Sequence, residues 1–331
     1  MNPLENVTVI VPTLNANGAL LQDHVVGLNR WVANARAVIV VDSESTDGTV
    51  EYILENLEHP QINFFERPKG LYRAWNYAIE KVETEYLYIA TVGDVIEPDG
   101  VRCLVELLES HNGDIAISPP RYLLEDGGER SNFQWPVDLA VERLGDGRSR
   151  LLDPKFVSTI HTLEFPATLA GSAASNLYRT DYLQKHPFPL KYGNQGDSAW
   201  AVRASVEARW CLYPKPLAGL VFHPRQSQAG SSRKALSSRR ALFENLLVTI
   251  KVDSRWKEWV QGSPLRNFLE ALSAEAEART VWLELRSRRW PWFLSGKAWS
   301  AQRVRKHSAA LCAERKREAL DWFIARFGSS N

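Results

Sequence analysis

The first half of the chain alternates short apolar runs with longer amphipathic stretches. VTVIV (7–11) and AVIVV (37–41) are β-branched runs of the buried-strand type. INFF (62–65), YLYIA (86–90) and DIAIS (114–118) continue the series. Between them Val50, Ile53, Leu54 and Leu57 fall at helical spacing, as do Val101, Leu104, Val105 and Leu108. The second helix has a clear start at Pro98-Asp99-Gly100. This alternation predicts an α/β layered domain around a mainly parallel sheet. Ligands of such sheets lie beyond the carboxyl ends of the strands. Asp42 and Asp94 both stand just past such ends and are expected to converge on one crevice.

From residue 120 to 230 the pattern loosens. LLEDGGERSNFQWP and RLGDGRSRLLDP read as surface loops. Tyr178 to Leu183 and Ser198 to Ala208 are expected to be helical. After 231 the chain reads as helical throughout, with a start at Ser263-Pro264 and an apolar stripe of Leu265, Phe268, Leu269 and Leu272. The expected division is 1–230 and 231–331.

Composition changes the picture in two ways. At 331 residues, 44% hydrophobic and 24% charged, the chain has the make-up of a soluble globular protein. No apolar run approaches the ~20 residues that cross a bilayer. MNPLENVTVIVPTLN lacks the basic and apolar regions of a signal peptide. Cys103, Cys211 and Cys312 are odd in number and far apart, which favours a reducing cytoplasm over a disulfide framework. Charge, however, is uneven. Residues 231–331 carry a net +10 and seven of the 12 tryptophans, against −9 for the rest. Such asymmetry suggests two regions with different partners.

Candidate chemistry follows. In VVDSESTDGT (40–49), Asp42 reads either as a turn and helix-cap residue or as an acceptor for a ribose hydroxyl or base N–H. In ERPKGLYRAWNYAIE (66–80), a helix start flanked by Arg67, Lys69 and Arg73 suits either solvent or a diphosphate. In YGNQGDSAWAVRA (192–204), Asp197 reads as a helix cap or as a general base. Trp135 and Trp200 are core residues or sugar-stacking platforms.

VTVIVPTLN, VVDSESTDGT, the KG…AWN segment and an Asp-tipped loop, in that order, resemble the family 2 glycosyltransferases. The resemblance implies a GT-A nucleotide-sugar-binding fold, Rossmann-like, with a C-terminal helical region outside the resemblance. It implies transfer of a sugar from a nucleotide-diphosphate donor such as a UDP-sugar, usually with inversion, to a glycan or lipid-linked glycan. By that resemblance Pro12, Thr13, Asn15, Asp42, Ser43, Lys69, Gly70, Asn76, Gly93 and Arg225 bind the donor. Asp94 and His223 hold a divalent cation, Mn²⁺ or Mg²⁺, and Asp197 is the base. Three departures stand out. Ser43 replaces the second Asp of VDDGSTDGT, and Gly93 and Gly196 occupy positions where the family often has acids, so that Thr91-Val92-Gly93-Asp94 retains only its last acid. An inactive nucleotide- or glycan-binding interaction protein on the same fold is the alternative. The basic, Trp-rich LRSRRWPWFLSGKAW (285–299) suits a membrane interface on the inner face, or else a helical bundle packed on the catalytic domain, with a homodimer as one outcome. No nucleic-acid motif accompanies it.

Overall fold

The computed structural model describes residues 2–124, 127–130, 133–171, 173–222, 233–286 and 296–327. The strands are β1 (Val7–Thr13), β2 (Ala37–Asp42), β3 (Ile62–Glu66), β4 (Tyr86–Ile89), β5 (Val95–Ile96), β6 (Ile115–Ile117), β7 (Pro120–Leu124), β8 (Arg150–Leu151), β9 (Asn176–Arg179), β10 (Trp210–Leu212) and β11 (Ala218–Phe222). The helices are α1 (Ala19–Asn29), α2 (Thr49–Asn56), α3 (Leu71–Glu80), α4 (Pro98–His111), α5 (Pro136–Leu144), α6 (Pro154–Leu163), α7 (Thr180–Lys185) and α8 (Gly196–Glu207). Four more follow: α9 (Arg233–Val252), α10 (Ser254–Gln261), α11 (Leu265–Arg286) and α12 (Gly296–Phe327).

The main sheet runs β3-β2-β1-β4-β9-β6-β10-β8. Its first four strands are parallel, β9 lies antiparallel between β4 and β6, and β8 is an antiparallel edge. A second sheet, β5-β11-β7, stands beside it. The five apolar runs are β1, β2, β3, β4 and β6. The stretch expected as a helix from Tyr178 is instead split: Tyr178 belongs to β9, and α7 begins at Thr180. Four residues filling a gap between two strands are too few to display a strand period.

Strand residues alternate between two cores. Val7, Val9, Val11, Tyr86 and Tyr88 pack with α1 and α4 on one face. Ile10, Leu87 and Ile89 pack with α3, α6 and α8 on the other. The C-terminal helices extend this second core. Trp256 is buried, Trp259 stacks near Trp322 at 5.1 Å and donates to Thr159 Oγ1 (2.9 Å), and Phe323 meets Phe156 at 5.2 Å. Several of the tail's tryptophans are thus internal, as a bundle packed on the α/β core requires.

Candidate nucleotide and base sites

The carboxyl ends of β1 and β2 are tied together. Thr13 and Asp42 are paired in register, and Thr13 Oγ1 donates to Asp42 Oδ1 (2.7 Å). Ser45 donates its hydroxyl to the same oxygen (2.6 Å) and its N–H to Oδ2 (2.7 Å). Asp42 is 1% exposed. A carboxylate has about four acceptor directions, so one remains for a ligand N–H or O–H. Pro12 is buried opposite Val41, and the buried Ser43 donates its N–H to the Thr13 carbonyl (2.9 Å).

The two following loops are laced. Asn15 and Glu44 both adopt left-handed backbone, at φ 45 and 60. Glu44 occupies the Gly of VDDGSTDGT, and a side chain there is tolerated only because neighbours hold the turn. Asn15 donates its N–H to Ser45 Oγ (2.7 Å) and accepts from the Thr46 N–H (2.9 Å). Asn17 donates its N–H to Asp47 Oδ2 (3.1 Å), and Thr49 Oγ1 donates to Asp47 Oδ1 (2.5 Å). These bonds, that from the Thr49 hydroxyl foremost, hold Asp47 below the usual carboxylate range.

The third loop joins the rim through Arg67, whose N–H donates to the Asp42 carbonyl (2.8 Å). Its guanidinium lies over Tyr77 at 4.3 Å. Exposed Lys69 and then Gly70, at φ 153, lead into α3. Two residues on, Tyr72 reaches Asp197 at the start of α8. The Tyr72 hydroxyl lies 3.3 Å from the Asn194 carbonyl and hydrogen-bonds the Asp197 carboxylate. Burial raises the Asp197 pKa, and hydrogen bonds from the Ser198 N–H (2.6 Å) and Tyr72 counter the rise. A carboxylate so balanced is suited to taking a proton. Gly196 is required by the same contact. A Cβ there would meet the Tyr72 ring at 2.5 Å and the Pro189 carbonyl at 2.9 Å. The acid often found at this position in family 2 is sterically replaced by Tyr72. Nothing in the sequence pairs Tyr72 with Gly196; only the packing does.

Asn76 has no free end. Its Nδ2 donates to the Phe188 carbonyl (2.8 Å) and its Oδ1 accepts from the Phe188 N–H (3.0 Å). It anchors the segment leading to α8 instead of reaching a donor. Trp200 is likewise core: it is 2% exposed, packs on Phe188 at 5.1 Å and donates Nε1 to the His186 carbonyl (2.6 Å). Trp135 packs against Gly171, whose missing Cβ leaves room for the ring, and beside Phe133 (5.1 Å).

Asp94 belongs to the other face. Its carboxyl accepts from the Val221 N–H, and its carbonyl accepts from His24 Nδ1 (2.8 Å). Around it, His24, Gly27, Leu28, Tyr88, Val95 and Ile96 enclose a void with no room for a water molecule. Burial pushes the carboxyl up to about 8 and pushes His24 down to about 4. Asp42 and Asp197 are therefore joined through Arg67, Gly70 and Tyr72, and Asp94 acts on Tyr88, as does Tyr178, on which Asp197 acts in turn. Gly93 is buried at φ 96, and beyond its neighbours in the chain no atom of the described residues lies within 4 Å of where its Cβ would stand. No cluster of three His, Cys, Asp or Glu side chains occurs among the described residues. A divalent cation needs exposed oxygen donors, and Mg²⁺ in particular one or two carboxylates. The described residues of this loop do not fit one. His223 and Arg225 lie outside the described residues. A recess of about 590 Å³ between α8 and α9 is lined by His186, Trp200, Arg203 and Val252 among others, so that of the expected residues Trp200 borders it.

Residues 8–167 match the family model "Glycosyl transferase family 2". Over those residues, just under half of the chain, the sequence matches a family 2 glycosyltransferase domain. Among solved structures, the chain is similar to S. aureus TarS 1–349 in complex with UDP-GlcNAc, with a TM-score of 0.55 and 15% identity over 94% of this chain and 89% of that one. S. aureus TarS 1–349 also matches, with a TM-score of 0.50 and 17% identity over the same shares. No curated protein matches the chain. These likenesses carry the fold: a GT-A domain, of mixed α/β layers with a mostly parallel sheet, followed by a C-terminal helical region.

Proposed function

We propose that this family 2 domain transfers a sugar from a nucleotide-diphosphate donor, with a UDP-sugar as the first choice, to a hydroxyl of a glycan or lipid-linked glycan. The observation that carries the reading is the continuous link from Asp42 through Arg67 and Gly70 to Tyr72 and Asp197. Donor rim and base are thereby parts of one edge. The complex of TarS with UDP-GlcNAc makes uridine nucleotides the natural probe.

In this mechanism Asp42, Thr13 and Asn15 present a preorganised rim to the nucleoside. The acceptor oxygen attacks the anomeric carbon while Asp197 takes its proton. The bond from that carbon to the phosphate oxygen breaks, and its electron pair leaves on the diphosphate. Attack opposite the leaving group inverts the anomeric centre. Residues 1–230 act as the catalytic unit, and 231–331 support α6 and α8.

Calorimetry with UDP, GDP and their sugars tests donor binding, and donor hydrolysis tests chemistry. Asp197→Asn is expected to keep donor binding while turnover falls by at least ~100-fold. A nucleotide that binds tightly with no turnover on any acceptor favours the second reading, an inactive binding protein. That reading draws on Gly93 and Gly196, where the family often has acids.

A peripheral membrane role draws support from the far half of the α11–α12 hairpin. Residues 296–313 hold four Lys or Arg and no acid, and Trp299 and Val304 are 62% and 53% exposed. No described helix is long and apolar enough to cross a membrane. Flotation with anionic vesicles, with and without Trp299→Ala and Val304→Ser, checks it; no flotation of the parent chain removes it.

A further inference from the structure

We infer that the recess between α8 and α9 is a subsite for the distal sugar units of an uncharged acceptor glycan, which leads along α8 away from Asp197. The inference rests on the transferase reading above and adds to it a place for the acceptor chain.

Continuity with the base comes first. Asp197 stands in the first turn of α8, and Trp200, Arg203, Ala204 and Glu207 of the same helix line the recess. Spacings of three and four residues put them on the Asp197 side of the helix. Arg203 lies ~9 Å and Glu207 ~15 Å along the axis from Asp197, a span for several sugar units. The facing wall is shared as well. Phe188 and Pro189 line the recess, Phe188 stacks at 5.5 Å on Tyr72, the partner of Asp197, and the Pro189 carbonyl would lie 2.9 Å from a Cβ at Gly196.

The lining fits a polyhydroxyl ligand. The His186 ring stacks on Tyr182 at 4.6 Å, with 26° between the planes, and 44% of the side chain stays exposed. A ring backed in this way is a flat apolar platform for the C–H face of a sugar. Arg203 is exposed and makes no hydrogen bond or ion pair among the described residues, so its guanidinium donors are free for hydroxyls. Glu207, exposed and 4.0 Å from His186 Nδ1, offers acceptors. From α9, the Thr249 hydroxyl donates to the Asn245 carbonyl (2.8 Å) and keeps its own acceptor capacity. Charge is balanced. Lys185 is paired with Asp181 (3.1 Å) and Asp253 with Arg255 (2.8 Å), which leaves Arg203 and Glu207, one of each sign. No field of one sign draws a phosphorylated or acidic chain.

Shape points to a chain and not a compact metabolite. The recess, about 590 Å³, is within the range of ligand sites. A second one of about 470 Å³, bordered by Lys155 and Trp259, adjoins it at Val206. The outer walls come from α9 and α10, which gives the C-terminal region a part in holding the acceptor.

The test uses the full chain, with His186→Ala and Arg203→Ala, two exposed side chains outside the catalytic machinery. Linear hexasaccharides of glucose, mannose and N-acetylglucosamine, and the acidic hexasaccharide of galacturonate, are titrated by calorimetry, with UDP and GDP in parallel. At least one uncharged hexasaccharide is expected to bind the parent, with affinity about tenfold or more lower in each variant and nucleotide affinity within about twofold. Donor hydrolysis, which needs no acceptor, is expected at the parent rate in both. If thermal melts show that either variant is unfolded, Val252→Arg, which narrows the recess from a 79% exposed position, replaces it. Nucleotide binding with no uncharged hexasaccharide bound overturns the inference and leaves the donor reading intact. So does glycan binding that survives the substitutions, a preference for the acidic chain, or a tenfold fall in donor hydrolysis, which would put these side chains in the donor site. Absence of nucleotide binding takes the donor reading down, and the acceptor role of the recess with it.

Discussion

Asp94 and Asp197 look alike in the chain: each is a lone acid after a glycine, near the start of a helix or loop, where the family often has a pair. The fold surrounds them differently. Asp197 stands at the first turn of α8, where burial raises its carboxyl pKa and hydrogen bonds from the Ser198 N–H and the Tyr72 hydroxyl oppose the rise. Asp94 is enclosed beside His24 and Tyr88, and burial without a cationic partner favours its protonated form. The two glycines differ as well. Gly196 is a necessity, since Tyr72 fills the side-chain space, whereas beyond its chain neighbours no atom of the described residues lies within 4 Å of a Cβ at the buried Gly93. The lesson is that two motifs alike in sequence can lack an acid in different packing environments.

The contrast predicts a graded series. Asp197→Asn should have the largest effect, a fall of at least ~100-fold in turnover with the donor dissociation constant unchanged. Steady-state kinetics paired with calorimetry checks this, and a variant that turns over normally erases the distinction between the two acids. Gly196→Ala comes next. Its Cβ would sit 2.5 Å from the Tyr72 ring, which packs against Trp75 and Phe188 and has little room to yield. A stability loss of ~1–3 kcal/mol is expected in denaturant melts, with reduced turnover because Tyr72 and Asp197 shift together. Gly93→Ala should cost only the strain of a positive φ, ~1 kcal/mol, and leave turnover near the parent value.

Tyr72→Phe sharpens the base side of the comparison. The hydroxyl favours ionised Asp197, so its removal raises the carboxyl pKa. The acid limb of the pH–rate profile should move to higher pH, while nucleotide affinity stays put. A profile that does not move means that Tyr72 only packs. Asp94→Asn should have the smallest effect on activity and a distinctive effect on stability. An acid whose folded pKa rises from 3.8 to about 8 destabilises the fold progressively as pH climbs through that window. The facing groups do not offset this, since His24 is neutral above about 4 and the Tyr88 hydroxyl is itself pushed above its ordinary range by burial. The variant should therefore match the parent near pH 4 and exceed it increasingly up to pH 8 in thermal melts.

Much of the fold was legible because periodicity is a local property. Five apolar runs became β1, β2, β3, β4 and β6, and the spacing of Val101, Leu104, Val105 and Leu108 became the buried face of α4. The loops that hold Asn15 and Ser43, and the strand ends at Thr13 and Asp42, were legible for the same reason. Illegible were β9, whose four residues owe their strand to neighbours on both sides, and the small β5-β11-β7 sheet, in which β5 has two residues. Asn76 lay within a donor-binding motif, yet its partner is Phe188, far along the chain.

By itself the sequence determined the layered α/β order, the acidic turn after β2 and the positive tail, since each depends on residues close together in the chain. Tertiary structure alone decided what surrounds each lone acid, the Tyr72 hydroxyl and Ser198 N–H at Asp197 and the Val221 N–H at Asp94. A carboxyl's charge answers to water, hydrogen bonds and neighbouring rings, and those are brought to Asp94 and Asp197 by helices and strands from distant parts of the chain.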